Sequence, residues 1–335
     1  MHFPLAMSFF GGEPLAQVLL VLAMLFTGLY NALWKEPVAV LGGKRLIFLR
    51  SGFVLLMVVP YAIFSGIKSF NSEVSFESLS FLALLSVGLL AYPGLYFFVK
   101  ATKSGPTVVV VPVASSFTIL FPAAFHVIYL QDWDFHVFSL IGFGLLILGL
   151  LMLKFRITAG RIVYTGDAGF RYAFLSAILM GTVFLIADRI LVLVGETVLL
   201  LVQEGSVLLF SLIHILISRY IGSRKILRGS NSPFRWSRDQ MGNHWKNYAW
   251  IIGMIGILSG IAEVSRMAAT NTPLPMATFV MSFSVLVTVV AAQVYYSEKL
   301  RTQQWLAVFC LLAGIFIISW IGDGQLRDLE MFQSF

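Results

Sequence analysis

The sequence predicts an all-α integral membrane protein whose ten transmembrane helices form two inverted five-helix repeats. Three observations carry this prediction. The 335 residues are 59% hydrophobic and only 12% charged, with a mean hydropathy of +0.89, beyond what a water-soluble core requires. Windows of about 20 apolar residues, the length that crosses a bilayer as a helix, recur along the whole chain between short polar stretches. The two halves also resemble each other at fixed offsets.

The expected spans are 15–33, 46–67, 79–100, 106–129, 136–153, 170–192, 198–220, 248–270, 274–296 and 305–321. The first has no Lys or Arg before it and no small-residue cleavage site after it, so it reads as a retained span. The second carries Arg50 near its start, and the third closes on Lys100. The fourth and ninth open just after Pro106 and Pro273, where proline suits a first helical turn. Gly142, Gly144 and Gly149 lie inside the fifth span, which makes them packing glycines rather than a phosphate loop. Span 6 ends near Asp188 and Arg189, span 7 contains Glu204, and span 8 contains Glu263 and Arg266 above a stripe of Gly253, Gly256 and Gly260. Small residues at that spacing let helices approach closely. Cys310, the single cysteine, falls in span 10, so neither an internal disulfide nor a thiolate metal site can form.

Ten spans put both termini on one face and the odd-numbered loops on the other. Of the 23 Lys and Arg, only Lys68, Arg189, Arg266 and Arg327 fall on the terminal face. Basic residues in short loops resist translocation, so this bias predicts cytoplasmic odd loops and outside termini. The net charge of +7 is spread over those loops, and the longest of them, a basic stretch at about 221–247, is too short for a domain. A nucleic-acid partner is therefore not expected, whereas contact with anionic lipid is. The chain lacks an N-x-S/T sequon, which fits a plasma (inner) membrane protein of a prokaryote.

Shifting by 167 residues pairs Ala101 with Ala268, Pro106 with Pro273, Ser115 with Ser282 and Tyr129 with Tyr296. A shift of 153 pairs Gly28 with Gly181, Gly52 with Gly205 and Arg50 with Gln203. The units are residues 1–160 and 161–335, the difference in offset being taken up by the loop after span 7. Five spans per unit is an odd number, so the units face opposite ways, the plan that places a central site between halves in many transporters.

The stretch Ala269–Ser319 resembles the EamA-type members of the drug/metabolite transporter superfamily. The resemblance rests on Ser297-Glu298-Lys299-Leu300 after a serine-containing span, then Gln304-Trp305 and a closing span with Ala313-Gly314. Leu130-Gln131-Asp132 stands at the equivalent place in the first half, without the basic residue. The resemblance covers nearly the whole chain and implies a carrier of amino acids, other metabolites, nucleotide-linked sugars or toxic cations. It also implies cytoplasmic termini, opposite to the charge bias.

Ionised side chains inside a span cost several kcal/mol, about 2.5–3.5 on insertion scales, and usually face the bundle interior. Glu263 and Arg266, three residues apart on one face, can pair. Glu204 lies at a similar depth in the adjacent span, so the three form a candidate solute or ion path. The alternative is a clamp in which Glu263 and Arg266 merely neutralise each other. Tyr92 and Tyr96, one turn apart, Ser115, Ser282 and Asn31 complete the candidate path, although each also fits packing or backbone bonding. Asp188, Arg189, Arg50 and Lys100 read as anchoring or gating groups near span ends, where a long side chain such as that of Arg50 can reach for the interface.

His126 and His214 have no ligand companions at metal-binding spacing, and neither a Walker motif nor a nucleophile elbow occurs. No metal, cofactor or catalytic residue is expected, and the chain does not read as an enzyme. The leading expectation is a secondary transporter of a small organic metabolite, an amino acid or related solute, coupled to a proton or cation gradient. Its partners would be the solute, the lipid bilayer and, in a homodimer, a second copy. Two other readings stay open: a non-transporting scaffold or receptor, and a membrane enzyme using an intramembrane carboxylate. The charge bias is tested by replacing Cys310 with Ser and introducing Ser230→Cys. A membrane-impermeant thiol reagent is expected to label Cys at 230 only from the cytoplasmic side.

Overall fold

The computed structural model describes residues 14–64, 78–125, 137–158, 161–164, 168–227, 238–268, 280–298 and 300–333, apart from some side chains within these ranges. Pro273 and His126 lie outside the described residues.

Helices dominate. They are α1 (Pro14–Leu33), α2 (Lys35–Leu41), α3 (Gly43–Phe64), α4 (Ser78–Ser104), α5 (Thr107–Phe125), α6 (Val137–Lys154), α7 (Ala168–Val194), α8 (Glu196–Leu227), α9 (Arg238–Ala268), α10 (Ser284–Tyr296) and α11 (Thr302–Gln333). Among the described residues, six carry stretches long and apolar enough to cross a membrane: Leu15–Leu33, Gly43–Phe64, Leu82–Ser104, Ala168–Ala187, Glu196–Ile221 and Tyr248–Ala268. Four more apolar helices are shorter: Thr107–Thr118, Leu140–Lys154, Val280–Tyr296 and Thr302–Ile318. Many large apolar side chains on their outer faces, such as Leu56, Phe64, Phe184 and Val294, are exposed, as expected where lipid is the solvent. The chain is a multi-pass, all-α membrane protein.

Two local departures from the expected loops stand out. The chain between spans 1 and 2 coils into α2, preceded by the fully buried Trp34 and closed by Gly42 at φ 76°, whose N–H donates to Val38 O. Between α6 and α7, Phe155–Thr158 (β1) pairs antiparallel with Arg161–Tyr164 (β2). Their β-branched and aromatic residues favour extended pairing over helix.

The helices pack in a symmetrical pattern. α4 lies against α7, and α1 against α9; α5 lies against α7, and α1 against α10; α3 lies against α9, and α4 against α8. The pairs α3–α8, α5–α10 and α6–α11 complete the bundle. Exchanging α1, α3, α4, α5 and α6 in order for α7 to α11 converts each of these pairs into another of them or into itself. The correspondence reaches individual glycines. A Cβ on Gly88 would lie 2.5 Å from Ser206 Cβ, and one on Gly256 would lie 2.6 Å from Phe53 Cβ. On the α6–α11 seam, a Cβ on Gly142 would lie 3.2 Å from the Gly314 carbonyl oxygen, and one on Gly149 would lie 2.8 Å from that of Ala307. Of the glycine stripe on α9, Gly256 and Gly260 receive Phe53 and Met57, whereas Gly253 meets open space.

Overpacking a tight helix contact typically costs about 1–3 kcal/mol. Gly88→Val and Gly256→Val are each expected to lower the thermal unfolding midpoint in detergent on that scale. Gly253→Ala, with nothing within 4 Å of its added methyl, is expected to leave the midpoint unchanged.

Candidate functional site

The polar centre lies where α1, α3, α8 and α9 converge. α3 brings Arg50 and Ser51, α8 brings Glu196 and Glu204, and α9 brings Ser259, Glu263 and Arg266 at i, i+4 and i+7, one helical face. Gly195, at φ 74°, forms the tight joint between α7 and α8 and makes Glu196 the first residue of α8.

Arg50 Nη1 donates to Glu204 Oε1, and Ser51 Oγ donates to Glu204 Oε2 at 2.7 Å. Arg50 Nε donates to Ser259 Oγ at 3.3 Å, and its Nη2 stands 3.7 Å from Glu263 Oε1. Arg266 Nε donates to Glu263 Oε2 at 3.2 Å, and Arg266 Nη1 donates to Glu196 Oε1 at 2.5 Å. The result is an unbroken alternation of sign: Glu204, Arg50, Glu263, Arg266, Glu196. Tyr30 of α1 covers Arg50, with the guanidinium carbon 6.0 Å from its ring centroid, at the limit of a cation–π contact. The chain is graded in exposure. Arg50 and Glu204 are 5% and 2% exposed, whereas the Glu196 and Arg266 side chains are 20% and 38% exposed.

The expected Glu204, Glu263 and Arg266 therefore do come together, but through Arg50, which the sequence had set among the anchoring or gating groups near span ends. Arg50 does not reach for the headgroups. Its carboxylate partners on α8 and α9 hold it inside, where its charge is compensated and its donors are used. Glu196, Ser51, Ser259 and Tyr30 were missed. Glu196 precedes the expected start of span 7, and nothing local in the sequence marks the other three. Pairing each buried acid with a basic residue in another span would have been the available signal.

Tyr92 and Tyr96 form a separate cluster on α4 with His214 of α8. The Tyr92 hydroxyl and His214 Nδ1 are 2.6 Å apart, and the ring centroids of Tyr96 and His214 stand 5.2 Å apart. His214, read from the sequence only as lacking metal-ligand companions, is a hydrogen-bonded member of an aromatic group. Asn31 and Ser115 are half-buried on α1 and α5, and Ser282 is buried just before α10; none is linked to the charge chain by a described contact. Lys100 Nζ sits 4.2 Å from the centroid of the Tyr172 ring, an aromatic anchor near the end of α4. The side chains of Asp188 and Arg189 lie outside the described set.

A third polar group joins helix ends. Ser297, left-handed at φ 54°, turns the chain after α10 so that Glu298 pairs with Lys35 and accepts the Val108 N–H at 3.1 Å. That N–H belongs to the first turn of α5, whose unpaired amides and positive dipole end favour a carboxylate.

No family model and no curated protein matches the chain. Solved structures do share its fold. One, described only as "Crystal structure of protein", superposes with a TM-score of 0.54 over 90% of this chain and 94% of its own length, at 16% identity. At that identity the likeness concerns fold alone.

Removing one partner of a buried ion pair strands the other and typically costs about 3–5 kcal/mol, whereas replacing both by apolar groups is far milder. Glu204→Leu is expected to destabilise the protein on that scale. The double variant Arg50→Met, Glu204→Leu is expected to unfold at higher denaturant concentration than the Glu204→Leu single variant.

Proposed function

We propose that this chain is a secondary transporter of a small organic metabolite, an amino acid or related solute, working by alternating access in the manner of the EamA-type drug/metabolite transporters. The observation that carries the reading is the five-membered charge chain at the meeting of α1, α3, α8 and α9. Intramembrane ionisable groups that are mutually paired and turned inward characteristically mark solute and ion pathways. A clamp needs one compensated pair. Here three carboxylates and two guanidinium groups are brought in from three helices, and the outermost members are partly open.

In this reading the ten apolar helices, α1, α3 to α6 and α7 to α11, all cross the membrane as two oppositely oriented five-helix halves, residues 1–160 and 161–335. The symmetrical helix pairing supports this, as do the matched glycine contacts at Gly88 with Gly256 and at Gly142 with Gly149. Contact across an inverted two-fold axis brings equivalent positions together, and Ser51 bonds to Glu204, its partner at the offset of 153. Glu263 and Arg266 present charge of both signs to a zwitterionic solute, Glu204 and Arg50 hold the sealed end, and the Tyr92–Tyr96–His214 group offers an aromatic contact nearer the other face. A proton or cation gradient drives the cycle. The excess of basic residues in the odd loops supports termini on the outside, and the absence of an N-x-S/T sequon supports a plasma (inner) membrane.

The test is uptake and export in proteoliposomes with amino acids, nucleosides and organic cations, with and without a pH gradient. Wild-type protein is expected to move at least one of these classes. Glu263→Gln is expected to reduce that flux at least about tenfold, or to free it from the gradient, while eluting as a folded species. A wild type that moves none of them, or a Glu263→Gln variant with unchanged coupled flux, overturns the reading in favour of a scaffold or clamp.

A further inference from the structure

Along one face of α4 stand Leu85, Leu89, Tyr92, Tyr96, Lys100 and Lys103, three or four residues apart, so they form a single stripe. Its deep end is apolar and uncovered: Leu85 and Leu89 are 42% and 46% exposed. The neighbouring helices grip α4 to either side, α8 where a Cβ on Gly88 would lie 2.5 Å from Ser206 Cβ, and α7 where one on Gly94 would lie 2.8 Å from Met180 Sδ. Midway, the Tyr92 hydroxyl and His214 Nδ1 are hydrogen-bonded at 2.6 Å, and the Tyr92 and Tyr96 rings stack with centroids 6.1 Å apart. At the end nearest the odd-numbered loops, Lys100 is held over the Tyr172 ring and Lys103 is exposed. Lys44, in the first turn of α3, lies within electrostatic reach of His214.

Each part of the stripe suits a different part of one partner. Exposed leucines on a membrane-crossing helix are covered by acyl chains, the solvent at that depth. Lys44, Lys100 and Lys103 pair with no carboxylate among the described residues, so this end of the stripe carries uncompensated positive charge. Leu85 lies about 16 Å along the helix from Tyr96, which matches the hydrocarbon of one leaflet, half of a core about 30 Å thick. An occupant with an anionic head at the lysines and an apolar tail of that length is a phospholipid. Interfacial tyrosine and lysine ordinarily anchor a helix without preferring a headgroup. Here the rings and Lys100 are already fixed against one another, so a headgroup that fits them is bound with little further loss of entropy.

We propose that this stripe seats one anionic phospholipid from the leaflet on the side of the odd-numbered loops. Its phosphate lies among Lys100, Lys103 and Lys44, its glycerol region on Tyr96 and His214, and an acyl chain along Leu89 and Leu85. The site is on the outer face of the bundle, goes beyond the transport reading and does not depend on it. The aromatic group then meets a lipid before it meets a solute, and the charge chain, on which the transport reading rests, is left untouched.

The experiment is native mass spectrometry of the purified full-length protein in detergent, titrated with phosphatidylglycerol or with phosphatidylcholine of the same acyl chains, with the thermal unfolding midpoint followed in parallel. Wild type is expected to keep one phosphatidylglycerol per chain at least about tenfold more tightly than phosphatidylcholine, and to unfold at a higher temperature with it bound. The double variant Lys100→Gln, Lys103→Gln is expected to lose both the preference and the gain in midpoint, whereas Lys100→Arg, Lys103→Arg keeps them. Lys299→Gln, Arg301→Gln removes the same charge from the loop after α10 and is expected to bind like wild type. A wild type that does not distinguish the two lipids overturns the proposal, as does an undiminished preference in Lys100→Gln, Lys103→Gln. So does an equal loss in Lys299→Gln, Arg301→Gln, which marks diffuse surface charge, or displacement of the lipid by glycerol 3-phosphate, which marks a site for a polar anion. Flux in proteoliposomes tests the transport reading separately and is untouched by any of these outcomes.

Discussion

The Arg50–Glu204 pair is the constraint around which the centre of the bundle is organised. Neither group tolerates low dielectric alone, and each satisfies the other at a depth neither could occupy singly. Their requirements spread outward. Arg50 still has donors to place, so Ser259 and Glu263 must come within reach from α9; Glu263 then needs Arg266, and Arg266 reaches Glu196 at the start of α8. A contact between two helices thereby fixes the rotation and depth of a third. Apolar packing alone fixes such quantities loosely in lipid, because a leucine is as comfortable against an acyl chain as against another helix.

Close backbone approach supplies the complementary constraint. With little hydrophobic drive between helices in a bilayer, association rests on dispersion at short range and on hydrogen bonds. Gly28 illustrates both: its carbonyl accepts the Thr288 hydroxyl at 3.0 Å, and a Cβ there would collide with the Val287 side chain. The Gly94 carbonyl likewise accepts the Ser176 hydroxyl at 2.7 Å. Glycine and hydroxyl thus recur as paired devices at the α1–α10 and α4–α7 contacts.

Much of this was legible in the sequence. The apolar windows marked the helices because backbone polar groups in lipid must be satisfied within the segment, which leaves little alternative to helix. Glu263 and Arg266 were legible as a pair because helical spacing alone brings them together. Arg50 was not, because its partner lies 154 residues away and a guanidinium in the second turn of its helix is within snorkelling reach of either outcome. Glu196 was set outside its span because the window was drawn by hydropathy, while the joint at Gly195 is set by a backbone angle. Tyr92 and Tyr96 were grouped with the charges because depth is readable from sequence and azimuth around the bundle is not. The α2 helix and the β1–β2 hairpin escaped for the opposite reason: they are local structures in segments assigned to loops by polarity.

Glu298 shows how far one side chain can carry a mechanical link. It follows α10, grips Lys35 just beyond α1 and stops the first turn of α5, while α10 itself lies against both of those helices. Three helix ends are therefore riveted at a single carboxylate. Drawing any one of these ends away from the others breaks at least one contact to Glu298.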